Sequence, residues 1–428
     1  MNKLAILLLL INSTQVLFGQ TTNTLTLEQA KTIALSNHPQ ILAAQDEAAV
    51  TQQQVIASRA PYFPIVEGDV TGSQSNSSQA RIGAGALSAS RLFNRFGQGF
   101  VFSQLVTDSG RTKNLVAGSR SQAEASAQTA QATRYDVLLE LNRVYFGALH
   151  AQGVVRVANE TVAARQLLLD QVTTLANNNL KSQLDVSFAE VSLSEAKLLL
   201  LRAEDDVQSS LADLTRVLGL DQAVNYQLVE EPLPAGPPDN PNSLVAEAMN
   251  NRPEVASLRL QSNAAARYAE AEKDLTRPSV SVVGAVGFLP YINSSGVPNE
   301  YEGVAMNLAI PVFNGHLFSA RREAAHYRSD AADKRLRDAQ LRITRDVRVA
   351  WASARNAFQR IDVTAQFLRQ ASLALDLAQG RYNLGLASIV ELTQAQLNAT
   401  QAEIENLSAK YDYQSQNAAL QYNTGSLR

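Results

Sequence analysis

From Arg111 to Ala176, and again from Leu317 to Leu384, the chain runs without a proline and with almost no glycine. A helix of roughly 65 residues is about 100 Å long, and no globular core surrounds such a rod, so it must lie lengthwise against others like it. The segments that follow carry the matching pattern. Val186, Leu193, Leu200, Val207 and Leu214 fall every seventh residue, as do Val390, Leu397, Ile404, Tyr411 and Ala418. Sustained heptads of this kind specify helices wrapped along one another. The short breaks Asn177–Gln183 and Asn383–Ser388 turn each long helix back on its successor as an antiparallel hairpin. Ahead of each hairpin the period changes to two. Val280, Val282, Val286 and Phe288 alternate with Ser279, Ser281 and Gly287, and Val304, Met306, Leu308 and Ile310 alternate with Gly303, Ala305, Asn307 and Ala309. Pro290–Tyr301, rich in turn formers, separates the two runs. In the first half Val66 and Val70 oppose Glu67, Asp69 and Thr71, and a return strand is expected near Gly99–Val106. Strands of about 9–11 residues have the length that crosses a bilayer at a tilt. Single helices are expected at Leu27–Ala60 and from Leu244 to about Leu275, each ending before a proline.

This order of elements is written twice. Asn37-His38-Pro39 recurs 214 residues later as Asn251-Arg252-Pro253. Gly110 matches Gly315 and Arg143-Val144-Tyr145-Phe146 matches Arg348-Val349-Ala350-Trp351 at an offset of 205, and Leu180, Ser182 and Asp185 match Leu386, Ser388 and Glu391 at 206. The segment between the copies holds five prolines from Pro232 to Pro241 and reads as a linker. The chain thus divides into 1–20, a first structural repeat at 21–220, a linker at 221–243 and a second repeat at 244–428.

Composition adds compartment. Lys3 followed by the apolar run Leu4–Ile11 reads as an export signal over residues 1–20, too short to span a bilayer. No later stretch approaches the roughly 20 apolar residues of a membrane helix, so the mature chain is expected to be soluble or to cross a membrane as β-strands. There is no cysteine, hence no lipid-anchoring thiol and no thiolate metal site. A net charge of −3 gives no basic footprint for nucleic acid. One chain offers four strands, while a membrane barrel needs at least eight, so strands in lipid demand a cyclic assembly. The count of subunits is not fixed by this reasoning.

Taken together, the repeated Asn-x-Pro, the strand-to-helix turn Ile310-Pro311-Val312-Phe313-Asn314-Gly315 and the tip Arg381-Tyr382-Asn383-Leu384-Gly385 followed by Ser388-Ile389-Val390-Glu391-Leu392 resemble the TolC-like outer-membrane efflux proteins. The likeness runs from about Leu25 to Leu427. It implies a mainly α chain with a small β part, assembled as a homotrimer. Twelve strands, four per chain, would form an outer-membrane β-barrel joined to a long periplasmic α-helical coiled-coil barrel. It further implies an exit duct for efflux or type I secretion, set in outer-membrane lipid and opened at its periplasmic tip by a periplasmic adaptor and an inner-membrane pump. No cofactor or metal is implied. Carried over by position, Glu391 matches an acidic ring residue at the constriction, and Gln394 stands where a second acid is common. The hairpin latch falls on Tyr382, Asp185 and Arg381, with Ala387 in the place of the latch arginine. Gly110, Pro311 and Gly315 mark the strand-to-helix turns. Three Glu391 carboxylates on one axis would repel each other and attract cations.

Other chemistry is thin. His38, His150, His316 and His326 are scattered, without the H-E-x-x-H spacing of a metalloprotease. Gly83-Ala84-Gly85 lacks the rest of a nucleotide fingerprint. No enzymatic activity is expected. Phe288, Tyr291, Tyr301 and Phe313 flank the strands as candidate interfacial aromatics, and Trp351 reads as helix packing. The competing reading is a periplasmic coiled-coil adaptor or scaffold, which should carry one helical hairpin rather than two.

Overall fold

The computed structural model describes residues 23–74, 81–82, 90–91, 94–222, 226–292 and 298–427. The expected signal at 1–20 and Gly83-Ala84-Gly85 lie outside these residues.

Each repeat opens with a broken helix where a single one is expected. α1 (Leu27–Asn37) gives way to α2 (Pro39–Ser58), and α5 (Asn242–Asn251) to α6 (Pro253–Lys273). Proline disfavours helical backbone in the residue before it. His38 and Arg252 accordingly sit at φ −66°, ψ 120° and φ −69°, ψ 122°. Proline then serves as the first residue of the next helix, where its missing N–H costs nothing.

The strands β2 (Ile65–Ser73), β5 (Arg95–Thr107), β7 (Ser279–Ile292) and β8 (Glu300–Ala309) form one antiparallel sheet in the order β2-β5-β7-β8. Two two-residue strands, β3 (Arg81–Ile82) and β4 (Ser90–Arg91), pair separately. The register confirms the alternation. Phe102 faces Val66, Phe100 faces Val286, and Val282 faces Met306, which places one apolar row across all four strands. The opposite row holds Glu67, Asp69, Gly99, Ser281, Gly287, Gly303 and Asn307. β7 runs on through Pro290, which is expected to lie in a turn. The ladder shifts register between Phe96 and Gln98, and a proline without an N–H is tolerated at such an irregularity. Tyr301 pairs with Gly287 on the polar row, and a Cβ on Gly99 or Gly287 would collide with its ring. It therefore covers two glycines instead of joining the apolar face with Phe288.

α3 (Arg111–Asn177) and α7 (Leu317–Asn383) are single helices of 67 residues each, followed by α4 (Gln183–Val217) and α8 (Ile389–Thr424). Their bounds place the second copy 206 residues after the first from the strand-to-helix turn onward, not 205 as the glycines suggest. The turn needs left-handed backbone at two consecutive positions. Ser109 (φ 57°) and Gly110 (φ 102°) supply it once, Gly315 (φ 61°) and His316 (φ 68°) the second time. Glycine occupies the second place in one copy and the first in the other, so matching glycine to glycine slips the register by one. Pro311 precedes the second turn outside any strand or helix.

The corrected register aligns Tyr145 with Trp351, and the two do the same work. Fully buried, Tyr145 sets its Oη 2.9 Å from the Leu25 carbonyl and 2.8 Å from that of Val229. Those carbonyls flank a short parallel pair, β1 (Asn23–Leu25) with β6 (Tyr226–Leu228), of which β6 lies inside what reads as a plain proline linker. Trp351 donates from Nε1 to the carbonyl of Pro238, 2.7 Å away, further along the same linker.

Compact packing falls into two units, each drawing on both repeats: residues 1–34, 140–234 and 359–415, and residues 35–139, 235–358 and 416–428. In the first, Leu168, Val172, Val186, Tyr382, Ile389 and Leu392 form a buried cluster. In the second, Val255, Ile343 and Val347 pack with Ala248, and Leu138 and Ala418 pack with Leu427. The heptads divide here. Val186, Leu193 and Leu214 are buried, whereas Val390 and Leu397 are half exposed and Leu392 takes the buried place.

Candidate functional site at the hairpin tips

The two tip turns lie in the first unit, and each starts its second helix with a serine cap. Ser182 Oγ accepts the N–H of Asp185 at 3.2 Å, and Ser388 Oγ accepts that of Glu391 at the same distance. The carboxylates then part company. Asp185 turns back and accepts from the Ser182 N–H at 3.0 Å and its hydroxyl at 2.9 Å, completing a reciprocal cap. Glu391 turns outward to Arg381, whose Nε lies 3.2 Å from its Oε1. The same guanidinium donates from Nη2 to the Leu386 carbonyl at 3.3 Å. Gly385 (φ +75°) lets the intervening chain turn left-handed.

Tyr382 is 5% exposed and packs in the buried cluster, with Lys181 Nζ 4.2 Å above its ring. Its hydroxyl is buried without a hydrogen-bond partner. Burial first, and the nearby charge of Asp185 second, push its ionisation upward. Asp185 is thus within electrostatic reach of Tyr382, but its hydrogen bonds go to the Ser182 cap. Gln394 donates to Asn398 at 3.1 Å along its own helix. Ala387 packs against the buried cluster. An open groove of about 1230 Å³ lies between the hairpins, flanked by Leu167, Leu180 and Leu384, all well exposed.

Of the residues expected at this site, the structure brings Arg381 and Glu391 together, leaves Asp185 and Tyr382 near but unbonded, and gives Gln394 a purely local role. Lys181 is a tip residue that sequence reasoning misses, since nothing in the heptads tells which ring a turn lysine covers. The strand-to-helix turns form a separate locus. Asp108 Oδ2 accepts from the Thr112 N–H at 2.7 Å and its hydroxyl at 2.5 Å, capping α3, and Asn314 Oδ1 accepts the N–H of Phe318 at 3.4 Å to cap α7.

Each histidine has a local role. His38 Nδ1 accepts from the Gln40 N–H, His150 pairs with Ser408, His316 makes the turn and His326 pairs with Asp330. Among the described residues no three His, Asp or Glu side chains converge as metal ligands, and no helix is long and apolar enough to cross a membrane.

A duplicated chain of this kind, with paired strands feeding two long helical hairpins and, among the described residues, a four-stranded sheet open at both edges, defines a class of proteins that join a β-sheet to long helical hairpins. Residues 32–220 and 244–426 match the family described as outer membrane efflux protein, and the chain belongs to that family. Among curated relatives it is 21% identical over 308 residues to the outer membrane protein TolC of Salmonella enteritidis. That match covers 70% of this chain and 63% of the relative. It is 20% identical to the outer membrane efflux protein BepC of Brucella suis, over 93% of this chain and 84% of the relative. The fold matches a membrane protein from Pseudomonas aeruginosa with a TM-score of 0.80 at 20% identity, covering 93% of each chain. The Campylobacter jejuni CmeC outer membrane channel gives 0.79 at 16% identity, covering 94% and 85%.

Proposed function

We propose that this protein is the outer-membrane exit duct of a tripartite efflux or type I secretion system. It acts as a passive conduit, opened at its periplasmic hairpin tips by an adaptor and an inner-membrane pump. The observation that carries this is the sheet. Its apolar row is exposed, with Val66 at 63%, Val70 at 69%, Phe100 at 61%, Val304 at 74% and Met306 at 74%. Among the described residues its outer strands β2 and β8 each pair on one side alone. An apolar face suits lipid, and lipid tolerates no open sheet edge, because each unpaired backbone group costs several kcal/mol there. Cyclic joining of β8 to the β2 of the next copy closes the ladder, and three copies give a twelve-stranded barrel. The exposed half-heptad of α8, Val390 and Leu397, then meets the neighbouring protomer, and the polar row of the sheet lines the lumen. Membership of the efflux family supports the same reading.

The test is fractionation of cells expressing the full chain. The expected product is an outer-membrane oligomer that shifts on gels when heated, and the purified oligomer conducts ions in planar bilayers. A soluble periplasmic monomer would overturn the assignment.

A further inference from the structure

We propose that Arg381 sets the charge of the tip: by pairing with Glu391 of its own chain it cancels the carboxylate, so the constriction does not select for cations. The proposal rests on the duct reading and deepens it.

The two tips of one chain provide an internal comparison. Ser182 and Ser388 are equivalent, as are Asp185 and Glu391, and a cap serine with an acid three residues on ordinarily closes a reciprocal box. Asp185 does so, with its Oδ2 3.0 Å from the Ser182 nitrogen. Glu391 has one more methylene and the reach to do the same, yet its Oε1 lies 3.2 Å from Arg381 Nε. The position equivalent to Arg381 in the first tip is Leu175. The carboxylate therefore swings out only in the tip that provides a guanidinium, and the guanidinium is itself held in place by the Leu386 carbonyl at 3.3 Å. Gln394, one turn further along α8, is neutral and bonded to Asn398. Lys181 and Asp185 add one charge of each sign in the other tip, so the charged residues of the two turns sum to zero. Three such pairs around an axis present alternating charge, where bare carboxylates would present a cation-attracting ring.

The experiment uses the full-length oligomer in planar bilayers of neutral lipid. It reads the reversal potential in a KCl gradient, and block by hexaamminecobalt(III) added on the tip side. Arg381→Gln removes one guanidinium from every protomer; since a single unit charge about 7 Å away in water already weighs about threefold, the cation-to-anion permeability ratio should rise by at least about threefold, and cobalt block should appear. Glu391→Gln leaves the guanidinium uncompensated and should move the ratio the other way, so the test stands even where Arg381→Gln fails to assemble. Arg381→Gln with Glu391→Gln should return to wild-type values, and Arg381→Lys should keep them. An Arg381→Gln channel that conducts with wild-type reversal potential and no added block overturns the proposal and leaves the duct reading standing. A wild-type oligomer that conducts nothing overturns both.

Discussion

Replacing Tyr145 by phenylalanine removes one oxygen from a site with no solvent exposure. The hydroxyl lies between two backbone acceptors, the Leu25 carbonyl at 2.9 Å and the Val229 carbonyl at 2.8 Å. Leu25 keeps a second donor, because the Val229 N–H reaches the same carbonyl at 3.1 Å. The Val229 carbonyl, in a part-buried setting, loses the tyrosine as its donor. One net hydrogen bond plus a partly unpaid desolvation amounts to about 1–3 kcal/mol. The loss should appear locally, as weaker closure of the β1–β6 pair, and not as misfolding, since the ring and its packing remain. Hydrogen exchange followed by mass spectrometry on the purified protein is the assay. A change of about 1.4 kcal/mol makes exchange at the Val229 amide roughly tenfold faster. The same site has a pH signature. Burial pushes the Tyr145 hydroxyl from 10.0 up to about 12, so its contribution is complete below pH 10 and is lost as pH rises through 12. Wild-type protein should therefore lose protection at Val229 across that interval beyond the intrinsic rate, and Tyr145→Phe should not. Equal exchange in the two proteins at neutral pH would refute the idea that this hydroxyl ties the linker to the helices. Tyr411 and Tyr422 are also raised to about 12, so a global alkaline melt would mix three groups that the local amide separates.

Tyr382→Phe removes a buried hydroxyl without a partner, and should leave stability unchanged or raise it by about 1 kcal/mol in detergent unfolding. A clear loss would mean that the hydroxyl finds its acceptor on another subunit. Val304→Lys, on the apolar row, should cost about 2–4 kcal/mol near the bilayer midplane and deplete the heat-modifiable oligomer, while Ala305→Lys on the polar row should be tolerated. Equal tolerance would sink the two-faced sheet. Gly385→Val faces empty space around a new Cβ but must hold φ +75°, so it should destabilise the tip by about 1–2 kcal/mol, with Gly385→Asn costing less. Proteolytic nicking between α7 and α8 measures the difference.

The duplication, the strand alternation and the hairpins were legible because each repeats a simple period over many residues. Val280, Val282 and Val286 declare a strand face without any knowledge of neighbours. Pattern misleads where one residue type serves two purposes. Pro39 and Pro253 stand inside runs of good helix formers, so each run reads as one helix although the chain breaks at His38 and Arg252. The glycines of the strand-to-helix turns misled the alignment by one residue, because left-handed backbone was required at a pair of positions and either could hold the glycine. That slip hid the equivalence of Tyr145 and Trp351. At the tip, the sequence marks both Arg381 and Glu391, but their pairing depends on which way an acidic side chain turns at a helix start. No periodicity encodes that choice. The Tyr226–Leu228 strand was invisible for a plainer reason: three residues carry no pattern, and their partner lies some two hundred positions earlier.

The bare outer strands of the sheet also bear on how such a protein reaches its destination. A closed barrel made from one polypeptide can complete its ladder alone before or during entry into lipid. On the duct reading, β2 and β8 are satisfied by other copies of the same chain, so subunit encounter and membrane entry become a single step. The rate of that step would then rise steeply with the concentration of free chains. At low expression, unassembled protomers would then accumulate with an apolar sheet face exposed, and these are the species that proteases and chaperones of the compartment would meet first.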